Sequence, residues 1–310
     1  MKADLHMHTT RSFDVESTQG GKSAKQLLDL IKHEGKVQVV SFTDHDKLSK
    51  KSDFDYASNN DLIFVGGGEV STSSLGFKQI HVLVYFNPQK IDIGEIQKEL
   101  NNLMKGRRVM CASYVKRLIE LGVFKPPRFQ RRQLIQENMI VSRAELAQML
   151  TSRRYTYTSH RFNDIHKAWE FLGGQDFRNI QRQSTNTKKL CDIVRKSEGL
   201  TILAHPWQIK YRDGTRINLD GIERLVNLTG IDGIEGYYPY HWWKDEISPD
   251  QSKKMNFEIR EWASGDPDFL ITGGSDFHRN TNPRKTCLPG RTYLPHEHTI
   301  KLLERLGYDI

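Results

Sequence analysis

The sequence predicts an α/β protein: a largely parallel sheet or barrel covered on both faces, interrupted by a basic helical insertion. Three observations carry that prediction. Short apolar runs of strand length alternate with helical stripes towards both ends of the chain. Between about residues 94 and 198 the alternation stops and only helical patterns remain. Almost every apolar run also delivers a histidine or carboxylate at one end, where parallel α/β folds build their sites. The expected organisation is therefore residues 1–93 as the first part of the sheet, 94–198 as an inserted lid or substrate domain, and 199–310 as the second part.

The chain opens on Asp4-Leu5-His6-Met7-His8-Thr9-Thr10-Arg11-Ser12-Phe13-Asp14. Histidines one residue apart on an extended segment point to the same side, so His6 and His8 can grip one metal ion with Asp14 in reach. Alone, the motif equally suits an edge strand with incidental polar residues. Gly20-Gly21 marks a turn, Ser23 a helix cap, and Leu27, Leu28, Leu30 and Ile31 a helical stripe ending at Gly35. The strand at 37–42 runs into Thr43-Asp44-His45-Asp46, and Leu62-Ile63-Phe64-Val65 ends in Gly66-Gly67-Gly68-Glu69. The run at 81–86 instead begins with His81, which implies an antiparallel strand or a misplaced boundary.

In the insertion, Ile96, Leu100, Leu103, Val115, Leu118 and Ile119 give a helix from Ile93 to Gly122, which Pro126-Pro127 breaks. Segments 144–150 and 165–172 read as two further short helices. Alternation resumes at Leu200-Thr201-Ile202-Leu203-Ala204, which ends in His205-Pro206. A helix from Leu219 to Leu228 leads to Gly233-Ile234-Glu235-Gly236, and a polar helix spans Pro249 to Ser264. Phe269-Leu270-Ile271-Thr272 ends in Gly273-Gly274-Ser275-Asp276-Phe277-His278, and a helix from Glu297 to Leu306 closes the chain.

The net charge of +8 is localised. Residues 101–190 hold 18 Lys and Arg against 6 Asp and Glu, leaving 28 against 32 elsewhere. A mildly acidic body thus carries a strongly basic segment, which calls for an anionic partner. No apolar run of about 18 residues is present to span a membrane, and the N-terminal segment lacks the apolar core of a signal peptide. Cys111, Cys191 and Cys287 are odd in number and widely spaced, as reduced thiols are. A cytoplasmic protein is expected.

Of 12 histidines, six (His6, His8, His45, His81, His205 and His278) fall at strand junctions, together with Asp14, Glu69 and Asp276. Any one could be a structural histidine, but nine such residues together argue for a metal site. His33, His160, His166, His241, His296 and His298 read as solvated, with His160 and His241 set apart because they lie near motif segments.

Taken in order, His6-x-His8 with Asp14, Thr43-Asp44-His45-Asp46, Gly68-Glu69, His81, Ala204-His205-Pro206 and Gly274-Ser275-Asp276-Phe277-His278 resemble the successive motifs of the PHP (polymerase and histidinol phosphatase) superfamily. The resemblance covers residues 1–90 and 198–280. Ser142-Arg143-Ala144-Glu145-Leu146-Ala147 and Ala168-Trp169-Glu170-Phe171-Leu172-Gly173 are similar to segments of the helical insertion in the branch acting on nucleoside monophosphates, 3′,5′-bisphosphates and RNA 5′ ends. The extra arginines and the polar tail after Gly173 depart from that pattern.

The resemblance implies a distorted (β/α)7 barrel with two or three divalent metal ions (Mn²⁺, Zn²⁺ or Fe²⁺) in its mouth. It assigns His6, His8, Glu69 and Asp276 to the first ion, Glu69, His81 and His205 to the second, and Asp14, His45 and His278 to the third. Mixed imidazole and carboxylate donors suit these metals, and a bridging carboxylate sets two cations about 3.5–4 Å apart. Asp4 and Asp44 are expected to accept histidine N–H groups. No G-x-S-x-G or Walker-type loop occurs, which favours hydrolysis by a metal-bridging hydroxide over a covalent intermediate.

The implied activity is a phosphoesterase acting on nucleotides or nucleic-acid ends, as a nucleotide phosphatase or exonuclease. Glu69, His205, His278 and Asp276 would be catalytic, with His278 or His205 assisting the leaving oxygen. Arg143, which resembles the family's phosphate-binding arginine, is the first candidate for substrate binding, with Arg107, Arg153, Arg154, His160 and His241 beside it. Tyr155, Tyr157, Phe162 and Trp169 are interleaved with basic residues, and Tyr237-Tyr238-Pro239-Tyr240-His241-Trp242-Trp243 forms an aromatic cluster where a base could stack. The competing reading is a catalytically silent, metal-stabilised module that binds nucleic acid or a partner protein. The expected partner is a nucleotide or single-stranded nucleic acid, and not a membrane.

Overall fold

The computed structural model describes residues 1–12, 15, 20–135, 141, 143–157, 161–180, 184–243, 246–278 and 287–309. Asp14 and His160, both expected at the site, lie outside this set. Two compact units emerge: residues 1–100 with 184–310, and residues 101–183.

The first unit begins with three parallel strands, β1 (Ala3–Asp4), β2 (Val39–Ser41) and β3 (Ile63–Ser74). Between them run helices α1 (Ala24–Glu34) and α2 (Lys51–Ser58). Ser23 caps α1 as its sequence position suggests: its Oγ accepts from the Gln26 amide while the Gln26 side chain accepts from the Ser23 amide. Gly35 then ends the helix in the left-handed region, with φ 61°. Leu27, Leu28 and Ile31 are the buried stripe and pack with Val40, Phe42 and Phe64.

β4 (Phe77–Phe86) turns back antiparallel to β3. It starts four residues before His81, so His81 lies within the strand, opposite Ser71. The sheet is therefore mixed rather than parallel. A residue near the start of the one reversed strand lies at the same end of the sheet as residues near the finish of its neighbours, which is why His81 broke the sequence pattern.

The chain continues into α3 (Gly94–Glu120), α4 (Arg128–Ile135), α5 (Arg143–Leu150) and α6 (Ile165–Leu172). The second unit has its own core, built from Val115, Leu118, Phe124, Leu134, Leu146, Leu150 and Leu172 among others, with Tyr114 and Phe177 stacked at 5.3 Å. It carries 16 Lys and Arg against 6 Asp and Glu.

The return to the first unit passes through β5 (Thr185–Asn186), a two-residue strand on β3. It is too short to leave any periodicity in a segment that reads as wholly helical. Then follow α7 (Thr187–Lys196), β6 (Leu200–Leu203), β7 (Lys210–Tyr211), α8 (Leu219–Thr229), β8 (Gly233–Tyr237), α9 (Tyr240–Trp243), α10 (Pro249–Ala263), β9 (Leu270–Gly273) and α11 (His296–Arg305). The main path runs β1-β2-β3-β4-β6-β8-β9, with β5 and β7 off it. Hydrogen bonds from Leu5 N to Gly273 O, Asp276 N to His6 O and His8 N to Phe277 O join the last strand's end to the first. The result is a near-closed, mixed seven-stranded barrel with helices around it, the distorted α/β barrel expected. Leu5, Val39, Val65, Leu83, Tyr85, Ile202 and Leu270 form one buried cluster, each contributing about 1.5–3 kcal/mol by burial. No helix among the described residues is long and apolar enough to cross a membrane.

Candidate metal centre

Barrel closure brings the motif residues together. His6 and His8 lie on the extension of β1 that bonds to residues 273–277. Glu69 sits in β3, where the loop after β2 is pinned to it: Asp46 N donates to Glu69 O at 2.7 Å and Glu69 N to Asp44 O at 3.3 Å. That pinning delivers His45. His81 comes from β4, His205 follows β6, and Asp276 and His278 follow β9. Close approach needs glycine at two positions. A β-carbon at Gly68 would lie 2.6 Å from Lys47 O, and one at Gly274 only 2.4 Å from the His6 amide nitrogen.

Glu69 is the hub. Its Oε1 lies 2.7 Å from His81 Nδ1 and 3.0 Å from His205 Nε2. Its Oε2 lies 2.9 Å from His45 Nδ1, 3.3 Å from His8 Nε2 and 3.6 Å from His6 Nε2. Asp276 Oδ1 faces His8 Nε2 at 3.1 Å, His6 Nε2 at 3.3 Å and His278 Nδ1 at 3.4 Å. Three overlapping groups, His6-His8-Asp276, His45-Glu69-His81 and His8-His45-His278, each place their ligand atoms within 4.8 Å of one another.

Burial and the neighbouring charges oppose one another at most of these groups. Burial would push Glu69 up, but the imidazoles of His45, His81 and His205 outweigh it and hold the carboxylate well below its ordinary range. Asp276 is likewise held low against burial, by His6, His278 and His8. Burial drives His8 down to about 3, helped by neighbouring His278 and His45, so its ring is neutral and keeps a lone pair. For His6, burial is outweighed by Glu235 and Asp276, which raise it.

The donor set fits a divalent cation. His6 Nε2, His8 Nε2 and Asp276 Oδ1 are buried side-chain atoms with no hydrogen-bond partner, although they converge on one another. Buried polar atoms ordinarily find partners, and a cation bound by imidazole nitrogens and carboxylate oxygens supplies one.

Two functional groups escaped the sequence reading. Glu235, fully buried on β8, accepts from His6 Nδ1 at 2.9 Å through Oε1 and from the His205 amide at 2.7 Å through Oε2. It therefore aims His6 Nε2 into the cluster. A carboxylate ending an apolar strand was the signal that found Glu69, and it applied equally here. Tyr238 donates its hydroxyl to Asp276 Oδ2 at 2.6 Å, and burial with the Asp276 charge holds that phenol well above its usual range.

Other expectations are corrected. Asp4 and Asp44 do not accept histidine ring N–H groups. Asp4 accepts the amides of Ser275 and Gly290 at 2.9 and 2.8 Å, and Asp44 accepts Thr9 N at 2.6 Å and Arg11 Nε at 3.0 Å. Both lie beside loops whose amides need acceptors, and the loops win. Tyr238 and Tyr240 are buried and present no face for a base.

Among the proposed substrate residues, Arg143 starts α5, donates Nη2 to Trp169 O at 2.6 Å and lies 4.5 Å over the Trp169 ring. Arg153 and Arg154 are exposed, the latter 5.7 Å from the centre of Tyr155. Arg107 is buried on α3. His241 is half-buried on α9 beside Trp242, and burial lowers its pKa.

No protein-family model matches the chain, and no curated protein does. Solved structures do. A protein from Bifidobacterium adolescentis, provisionally assigned as a metal-dependent phosphoesterase, superposes with a TM-score of 0.67 at 19% identity, over 99% of this chain and 97% of its own. An amidohydrolase from Chromobacterium violaceum superposes with a TM-score of 0.68 at 20% identity, over 98% and 97%. The chain shares their fold. The likeness spans both units and nearly the full length of each relative.

Proposed function

We propose that this chain is a divalent-metal-dependent phosphoesterase that hydrolyses phosphate esters of nucleotides or nucleic-acid ends. One observation carries the reading: six imidazoles and two carboxylates converge in the near-closed barrel, with three buried ligand atoms lacking any other hydrogen-bond partner. The shared fold of a protein assigned as a metal-dependent phosphoesterase supports it. The Chromobacterium amidohydrolase, whose structure holds sulfate and no metal, shares the fold alone.

In this reading His6, His8, Glu69 and Asp276 hold one cation, Glu69, His81 and His205 a second, and His45, His278 and Asp14 a third. His45 also reaches Glu69, so it is shared between the second and third positions. Mn²⁺, Zn²⁺ or Fe²⁺ suits this donor set. When bound, such ions polarise phosphoryl oxygens and make water acidic enough to attack near neutral pH. The chain supplies the rest. Glu235 fixes the His6 ring and Tyr238 fixes Asp276, so both point inward before substrate arrives. His278, with 15% of its side chain exposed, and the deeper His205 would face the leaving oxygen as ligands of these ions. Arg143 is the proposed phosphate clamp, its guanidinium already oriented by Trp169. Arg107, Arg153, Arg154, His160 and His241 are the remaining proposed contacts.

The test offers purified protein adenosine 3′,5′-bisphosphate, AMP and end-labelled single-stranded RNA and DNA, with Mn²⁺, Zn²⁺ or Fe²⁺. A His6→Ala/His8→Ala variant is the control. Phosphate release or strand shortening that the control lacks is the expected result. Metal bound with no turnover of any substrate sinks the reading and leaves the silent module.

A further inference from the structure

The second unit carries a cleft of its own. Pro127 leads directly into α4, which sets Arg128 and Arg131 on its first turn beside Lys125. The segment after α5 returns alongside: Phe124 pairs antiparallel with Thr156, Lys125 N donates to Tyr155 O, and the Phe124 and Tyr155 rings stack at 6.1 Å. That pairing fixes Arg153, Arg154 and Tyr157 against the first segment. The space between is about 680 Å³, within the roughly 300–1,000 Å³ of ligand clefts.

No acidic side chain lines this cleft among the described residues, and none of its four arginines has an acidic partner among them. All four are exposed. Four guanidiniums and an ammonium around one cleft, with no carboxylate among the described lining residues, favour an anionic occupant. Arginine forks match phosphate oxygens in pairs. Tyr157 adds a flat face, 45% exposed, with Lys125 Nζ 5.0 Å from its ring centre. An acidic peptide would answer the charge but leave that face without a stacking partner, and a bilayer surface cannot enter a cleft. A nucleic-acid strand answers both, its phosphates on the arginines and a base on the ring.

We infer that this cleft binds the backbone of a single-stranded nucleic acid, with one base stacked on Tyr157. As a binding site it stands on the cleft alone. As a statement that the substrate is a strand rather than a mononucleotide, it rests on the phosphoesterase reading.

The test uses the full chain with chelator present, so that no cleavage occurs, and fluorescein-labelled single-stranded RNA or DNA of about 12 nucleotides. Anisotropy gives affinity between about 50 and 200 mM salt. Arg128→Gln/Arg131→Gln and Arg153→Gln/Arg154→Gln should each weaken binding about tenfold or more. Each should also flatten the log–log salt slope by about 1.4, two lost contacts at about 0.7 each. Tyr157→Ala should weaken strand binding about tenfold and leave inorganic polyphosphate binding as it was. Circular dichroism of these exposed-site variants checks the fold. Parental affinity and slope in both folded arginine pairs would overturn the site. Polyglutamate of equal charge competing as well as the strand would overturn the nucleic-acid assignment. Turnover of AMP and strands by the unsubstituted protein with Mn²⁺ is measured alongside. Lost strand binding in the variants with no turnover by the parent keeps this site and removes the phosphoesterase. Turnover by the parent with undiminished strand binding in the variants does the reverse.

Discussion

Glu235→Gln is the sharpest probe of how the centre is set. The two Glu235 oxygens each accept one N–H, from His6 Nδ1 at 2.9 Å and from the His205 backbone at 2.7 Å. Glutamine keeps the shape but offers one oxygen and one NH₂ group. If its oxygen stays on the His205 amide, the NH₂ faces His6, and the ring must move its proton to Nε2 to accept. A protonated Nε2 cannot ligate a metal. If the oxygen turns to His6, the buried His205 amide faces a donor and loses its bond. The first outcome costs metal affinity, about 10–100-fold for a lost outer partner of a ligating histidine. That equals about 1.4–2.8 kcal/mol. The second costs about 1–3 kcal/mol of stability for a buried unsatisfied donor. Both are read on one preparation: metal affinity by competition with a chromogenic chelator, and stability by urea unfolding of the metal-free protein. Glutamine with metal affinity within twofold of the parent and an unshifted urea midpoint would refute the claim that Glu235 orients His6.

Other outcomes follow from the same geometry. Chelation should lower the thermal midpoint, because a cation held by the proposed centre would bind only the folded chain; restoring metal to about 100 times its dissociation constant should return about 2.7 kcal/mol. Scanning fluorimetry with and without chelator checks this, and the His6→Ala/His8→Ala protein should show no such difference. Gly274→Ala puts a β-carbon 2.4 Å from the His6 amide nitrogen, so metal affinity should fall even in protein that remains folded by circular dichroism. Burial pushes the thiols of Cys111 up to about 11 and of Cys287 to about 12, so neither should react with a thiol reagent near neutral pH before unfolding. Since Cys111 lies in the second unit and Cys287 in the first, mass-resolved labelling in rising urea reports which opens earlier. Burial lowers the pKa of His298, on the first turn of α11, where the helix dipole also disfavours a cation. Unfolded chain then takes up this proton first, so its contribution is present above the ordinary histidine pKa and lost as pH falls from there through the lowered folded value. His298→Gln should flatten that part of the urea-midpoint profile.

The candidate centre was legible wherever one local rule applied, namely an apolar run ending in a donor. His45, Glu69, His205, Asp276 and His278 all obey it. Glu235 obeys it too, but a single carboxylate without a neighbouring histidine motif carries no mark of its partner, and His6 is 229 residues away. His81 disobeys it only because β4 runs against its neighbours, and strand direction depends on pairing that local sequence does not encode. Asp4 and Asp44 show the converse. Their chemistry suited histidine N–H groups, but loop amides occupied their oxygens, and which donors arrive is a matter of tertiary register. The basic cleft was legible as charge and not as a cavity, because the pairing of Phe124 with Thr156 that shapes it is an isolated bridge with no strand pattern.

The barrel also explains how a strained site holds its form. Five non-glycine residues among those described have positive φ, and three, Asp46 (53°), His205 (29°) and Asp276 (51°), are in the loops that build the centre. Such conformations cost about 1–3 kcal/mol each and persist only where the surroundings impose them. Here each strained residue donates its amide to another part of the same centre at 2.7 Å: Asp46 to Glu69 O, His205 to the Glu235 carboxylate, and Asp276 to His6 O. The acceptors belong to β3, β8 and the β1 extension. Each loop is thus locked by a different wall of the barrel, and each lock involves a ligand candidate or the residue that orients one. Relaxing any of the three would displace a donor atom and release a buried amide together. Local backbone preference opposes these turns, so it is the closed barrel that holds the geometry and keeps the donor atoms converged.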